Sequence, residues 1–231
     1  MKKILSLVLV VAMVLGCIGI IACGGGGEGG GEAPPSNDGT TPPGQEEEEE
    51  PPPSGEDLSE ILGLGTSITS MKYDMVITAP GTPTTVTQHC WVKGNKMRIE
   101  MTEGGQTTIL LIDCDTRTGY AYMPEQNMAY EAAFNPTIQS AVEEAQAIID
   151  YDYNVIGTQT VDGKVCLVVE YTEPTMQVTV KLWIWKEHGF TIRTEMTTAE
   201  GKIITEFKNI DFADIDDSMF ELPAGVQIVQ F

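Results

Sequence analysis

Residues 176–196 read MQVTVKLWIWKEHGFTIRTEM, and their alternation decides the fold. Met176, Val178, Val180, Leu182 and Ile184 share one parity, while Gln177, Thr179 and Lys181 share the other; after Glu187-His188-Gly189, Phe190, Ile192 and Met196 alternate with Arg193 and Glu195. A period of two is that of a strand with one buried face. An interruption this short can only join antiparallel neighbours. The stretch is therefore a β-hairpin with one apolar and one largely wet face.

The same signature repeats outward. Met97, Ile99 and Met101 oppose Lys96, Arg98 and Glu100, and Val165, Leu167, Val169 and Tyr171 oppose Lys164 and Glu170. About eleven strand-like runs lie between Ser70 and Phe212, divided by Lys93-Gly94-Asn95, Gly104-Gly105, Asp162-Gly163 and Ala199-Glu200-Gly201. Helical signals are few. Asn135-Pro136 offers an N-cap and a proline at the first turn, followed by Ile138, Ala141, Val142, Ala145, Ile148 and Ile149 at helical spacing; a shorter helix is predicted near Asp57 to Leu62, weakened by Gly63 and Gly65. The expected class is mainly β (α+β): a curved antiparallel half-barrel of about eleven strands with one or two helices on its concave face. A sheet this long outruns two helices, which predicts an apolar hollow.

The remaining chain concerns location. Lys2 and Lys3 precede an apolar run from Ile4 to Ala22, and Cys23 follows a small residue. This pattern predicts a lipoprotein signal peptide over residues 1–22 and lipidation at Cys23. A retained transmembrane helix competes, but Gly16, Cys17 and Gly19 dilute the run and no basic flank follows it. Cys17 after Val14-Leu15-Gly16 is a second candidate for lipidation, and would leave an apolar start to the mature chain. Residues 23–57 then form a tether, rich in Gly, Pro and Glu and free of aromatic or large aliphatic side chains, which cannot bury enough surface to order itself. Its coil would span on the order of 30 Å. Residues 58–231 form the folded domain. The expected location is the cell membrane or outer envelope, lipid-anchored and facing away from the cytoplasm.

The formal net charge is −21, or −23 once Lys2 and Lys3 leave with the signal; ten acids in the tether account for part, leaving −13 on the domain. That excess excludes nucleic acid as a partner and docking on anionic lipid through a basic patch.

The order helix, six strands, helix, five strands resembles the LolA-like superfamily of bacterial envelope proteins, which includes lipoprotein carriers and acceptors and LppX-type lipid-binding lipoproteins. The likeness rests on KGNKMRIEMT (93–102), GYAYMPEQNMAYEA (119–132), VDGKVCLVVEY (161–171), KLWIWKEHGFTIRTEM (181–196) and FKNIDFADIDDSMFELPAG (207–225). The resemblance implies a half-barrel whose concave side, lidded by helices, receives acyl chains. It implies no particular sorting role.

On that basis the expected ligand-lining residues are Met97, Ile99, Met101, Val178, Val180, Leu182, Ile192 and Met196. Nine methionines fall in the domain; Met adapts to irregular apolar guests and equally fills ordinary cores, so both roles stand. Trp183 and Trp185 occupy the polar parity of their strand, either as a docking patch or packed beside a neighbouring strand, the second being preferred. Cys90, Cys114 and Cys166 are expected as small buried side chains, since Cys90 and Cys114 fall on next-but-one strands, about 9 to 10 Å apart. His89 and His188 stand almost a hundred residues apart, which gives no metal-ligand spacing and no catalytic triad, and His188 is expected to be solvated in its turn. The sequence predicts a protein that is not an enzyme and needs no cofactor or metal, whose partner is a lipid or acyl chain. The alternative is an envelope sensor or protein-interaction module with a filled core and an envelope protein as partner.

Overall fold

A computed structural model gives the structure, which describes residues 57–81, 85–133, 148–173 and 176–230. Cys23, Cys17 and the tether lie outside them, as does most of the helix expected from Asn135. Of that helix only Ile148 and Ile149 are described, in a 3-10 turn over Ile148–Asp150.

Helix α1 spans Leu58–Gly65, capped by Asp57, whose carboxylate accepts from the Ser59 N–H at 2.9 Å. It runs three residues past the expected Leu62. Eight residues are too few to hold a helix alone, so packing must hold it. Leu58, Ile61 and Leu62 supply the buried stripe.

Twelve strands follow: β1 Ser70–Thr78, β2 Val86–Lys93, β3 Lys96–Glu103, β4 Gln106–Asp113, β5 Thr118–Met123, β6 Met128–Ala133, β7 Tyr153–Val161, β8 Lys164–Glu173, β9 Val178–Trp185, β10 Phe190–Thr198, β11 Gly201–Asp211 and β12 Gln227–Val229. They form one sheet in the order β12-β6-β5-β4-β3-β2-β1-β11-β10-β9-β8-β7. The ends, β12 and β7, do not pair with each other, so the sheet is an open half-barrel. Eleven strands make antiparallel pairs, as the alternation predicts. β12 adds a parallel pairing with β6 that a three-residue segment does not announce. The turns fall where the sequence put them; Asp162 (φ 48°) and Gly163 (φ 75°) are both left-handed, which matches the twist of a two-residue hairpin. Met176 belongs to the turn before β9 rather than to the strand.

Register carries side-chain rows across several strands, with shifts between β1 and β11, β9 and β10, and β7 and β8. Val180 faces Met196, which faces Ile203, and Leu182 faces Thr194, then Thr205, then Ile77. Further along, Phe207, Met75, Gln88, Met101 and Thr108 stand in one row on β11, β1, β2, β3 and β4. α1 packs with Leu167, Val169, Val180, Leu182 and Ile184, all on this side, which is therefore the helix face.

The opposite face is less wet than alternation suggests. Leu111 is 3% exposed and Trp183 5%, both on the polar parity. The chain beyond β11 covers part of it: Lys93 Nζ donates to the Ile215 carbonyl at 2.6 Å, Arg98 Nη1 to that of Met219 at 3.0 Å, and Ser70 Oγ to that of Ala213 at 3.2 Å. Val165 errs the other way, on the apolar parity yet 47% exposed at the start of β8.

Candidate ligand-binding face

Three rows on β1 to β4 form the apolar floor of the helix face. Met71, Val92, Met97 and Ile112 stand opposite one another in turn, as do Tyr73, Cys90, Ile99 and Leu110, and then Met75, Gln88, Met101 and Thr108. Cross-strand neighbours at this spacing touch, so each row is a continuous surface. All the apolar members belong to one cluster, Met101 as a partly buried one. Among the described residues no helix joins that cluster, whereas α1 and Ile148 complete the second one over β8 to β10.

The eight sequence-predicted lining residues divide between these two regions. Met97, Ile99 and Met101 sit together on β3 in the larger cluster, with Ile192 in the same cluster on β10. Val180 and Leu182 lie with Leu58, Ile61 and Leu62 of α1, and Val178 and Met196 pack at the margin of that group. Ile99 is 1% exposed.

Gln88 is the residue that sequence reading missed. It is 0% exposed, and among the described residues neither its amide nitrogen nor its amide oxygen has a hydrogen-bond partner. An unpaired buried amide costs about 1–3 kcal/mol, so its retention calls for an explanation. The signal was present: Gln88 shares the parity of Cys90 and Val92 on a strand whose other parity holds Thr87, His89 and Trp91. Beside this region Tyr73, Phe190 and Phe207 form an aromatic triangle, with Tyr73 to Phe207 at 5.2 Å and Phe190 to Phe207 at 5.4 Å, both edge-on.

On the outer face Trp183 is enclosed rather than presented. Its indole N–H donates to Gln159 Oε1, with Lys181 Nζ 5.2 Å and the Arg193 guanidinium 4.8 Å from the ring centroid. Trp185 meets His188 edge-on at 4.1 Å, and His188 lies tilted against Phe212 at 4.6 Å, so this histidine is packed between rings rather than solvated in its turn. Near the centre of the sheet a cleft of about 140 Å³ is lined by Lys72, Tyr73, Asp74, His89, Cys90, Trp91 and Asn209. Burial pushes the Asp74 carboxyl up, but the Asn209 amide at 2.6 Å and His89 Nδ1 at 2.5 Å hold it below its ordinary value overall.

Cys90 and Cys166 are buried free thiols, both pushed up to about 12 by burial, while Cys114 is half-buried. A thiol held protonated is a poor nucleophile and a poor ligand. Among the described residues no group of three His, Cys, Asp or Glu could hold a metal ion, and no helix is long and apolar enough to cross a membrane.

Residues 72–189, just over half of the chain, match the model of a domain of unknown function, DUF4412. The chain belongs to the DUF4412 family. The DUF4412 match begins within β1 and ends at Gly189, at the tip of the β9–β10 turn. No curated protein matches at a significant level. Among solved structures, an uncharacterized conserved protein from Thermus thermophilus is similar with a TM-score of 0.53 and 13% identity, over 74% of this chain and 98% of that one. The Mycobacterium tuberculosis lipoprotein LppX gives 0.45 and 12%, over 69% and 97%. The Pseudomonas aeruginosa MucA/MucB complex gives 0.43 and 14%, over 75% and 64%. Identities this low speak to fold alone. With the likeness to the Thermus thermophilus protein, the twelve-strand sheet described above gives this DUF4412 chain an open half-barrel fold.

Proposed function

We infer that this chain is a non-enzymatic lipoprotein, anchored outside the cytoplasm through Cys23, whose half-barrel takes up a lipid or acyl chain on its helix face. The observation that carries this reading is the apolar floor from Met71 and Met75 through Cys90 to Ile99, Met101 and Leu110, interrupted at Gln88 and Thr108, with the adaptable side chain of Met recurring along it. Sequestering about 400 Å² of acyl chain at ~25 cal/mol per Å² contributes about 10 kcal/mol before the cost of association, against the roughly 8 kcal/mol net that micromolar affinity requires. Burial alone supplies the binding, with no reacting group required. The test is native mass spectrometry of the protein after incubation with envelope lipids. A retained lipid is expected, and persistent absence of any adduct would overturn the reading.

The low exposure of Ile99 and Leu110 favours a second reading, a filled core whose outer surface meets an envelope protein. Cross-linking in intact cells separates the two: a reproducible protein partner, together with no lipid adduct, selects the second.

A further inference from the structure

Gln88 is a fully buried carboxamide, unpartnered among the described residues, set between Met75 and Met101 in a floor that is apolar apart from it and Thr108. A carboxamide presents a carbonyl that accepts and an NH2 that donates, both at one end of the side chain. A guest that satisfied only one would leave the other buried and unpaired, so the complementary group must donate and accept together. Charge narrows the choice further. The row through Gln88 holds Phe207, Met75, Met101 and Thr108, with no Lys or Arg to neutralise an ionised headgroup. Carboxylate, phosphate and sulfate are therefore disfavoured, because an unpaired charge in apolar surroundings costs more than the amide itself. An ester or ether is disfavoured for the opposite reason, since it only accepts.

We propose that Gln88 is a specificity residue, and that the amphiphile received on this face carries an uncharged carboxamide that pairs with the Gln88 side chain while its alkyl chain lies along the methionine rows. This rests on the lipid-binding reading above and adds to it the chemistry of the polar group. Gln88 makes two hydrogen bonds to the guest, and the guest gives up no headgroup charge to enter.

The test compares oleamide with methyl oleate, which share an eighteen-carbon monounsaturated acyl chain and differ in whether the head donates. Binding of each to the full-length protein is measured by displacement of a fluorescent fatty probe, alongside the Gln88→Leu variant, which keeps the side-chain volume and removes both polar atoms. The unmodified protein is expected to bind oleamide about tenfold more tightly than methyl oleate, the worth of roughly one net hydrogen bond. In Gln88→Leu that preference should vanish while methyl oleate binding is kept or improved. Removing an unpaired amide from the core should also leave the thermal midpoint of the empty variant unchanged or higher, which shows that it folds. Equal affinities in the unmodified protein, or a preference that survives Gln88→Leu, would overturn the role of Gln88 and leave the lipid reading standing. Failure of both amphiphiles to bind the unmodified protein would overturn both.

Discussion

A Cβ placed on Gly189 would stand 2.1 Å from the backbone oxygen of Ile61, so the tip of the β9–β10 turn lies directly against α1. The nearest atoms are backbone and cannot swing aside, and Gly189 has φ +61°, where any other residue is strained. Gly189→Ala should therefore cost about 2–4 kcal/mol, against a few tenths for an ordinary surface change. Urea unfolding checks it, and a variant within about 0.5 kcal/mol of the parent would show that α1 does not hold this position.

Trp183 lies on the outer face but is enclosed by Gln159, Lys181 and Arg193. A tryptophan displayed for docking would tolerate truncation. An enclosed one would not: Trp183→Ala is expected to lower stability by about 3–5 kcal/mol. Trp183→Phe should cost less, chiefly the lost bond to Gln159, about 1–2 kcal/mol. Denaturation midpoints of the two variants rank the effects, and equal midpoints for Trp183→Ala and the parent would contradict the packing.

Burial raises the Cys90 thiol, opposed by a hydrogen bond with Tyr73 and reinforced by the charge of Asp74, so that it ionises at about 12 in the fold. In the unfolded chain a thiol ionises near about 8.5. The folded form prefers the neutral thiol, so this contribution is whole below about pH 8.5 and declines as pH rises toward about 12. The slope is about 1.4 kcal/mol per pH unit for one thiol. Cys90→Ala should flatten the loss of stability between about pH 8 and pH 10 relative to the parent. Parallel pH profiles for the two proteins would refute the assignment.

Lys93 gathers the segment after β11 through Asp214 at 3.2 Å, Asp217 at 3.0 Å and the carbonyl of Ile215. These carboxylates raise its affinity for the proton, so it stays charged throughout the working pH range. Lys93→Met should release residues 213–220, read as faster amide hydrogen exchange there, while β1 to β4 keep their protection. High salt should partly reproduce the effect in the unmodified protein. Unchanged exchange in the variant would place the anchoring elsewhere.

What the sequence made legible was local. The parity of β3, β8, β9 and β10 and the glycine-bearing turns depend on neighbours within a few residues, and each appears where the alternation put it. The enclosure of Trp183 beside a neighbouring strand follows the preferred reading, but the wetness expected of the rest of the outer face was misjudged because part of its cover is remote: nothing near Lys93 or Arg98 in sequence announces that the segment from Ala213 to Met219 will reach them. One clue was available at Ile109 to Ile112, four apolar residues without alternation, the mark of a strand buried on both sides. β12 was invisible for a similar reason, being three residues long and joined to a strand far away in sequence. At the candidate site the methionine rows could be read from parity. Gln88 could have been seen as a polar residue in an apolar slot, but its lack of partners among the described residues needed the neighbouring strands in place.

The strand order places β1 beside β11, so the middle of the sheet is a seam between the earliest long strand and the last. On either side of it, five hairpin partners follow β1 and four precede β11, each closing over a short stretch of chain. The seam itself joins groups such as Asp74 and Asn209, 135 positions apart. Short closures are fast and long ones slow, so two independent meanders should form first and zip together only when residue 211 is available. A chain emerging N-terminus first from a membrane pore would thus wait, with its first meander's central edge unpaired, until nearly all of it had crossed.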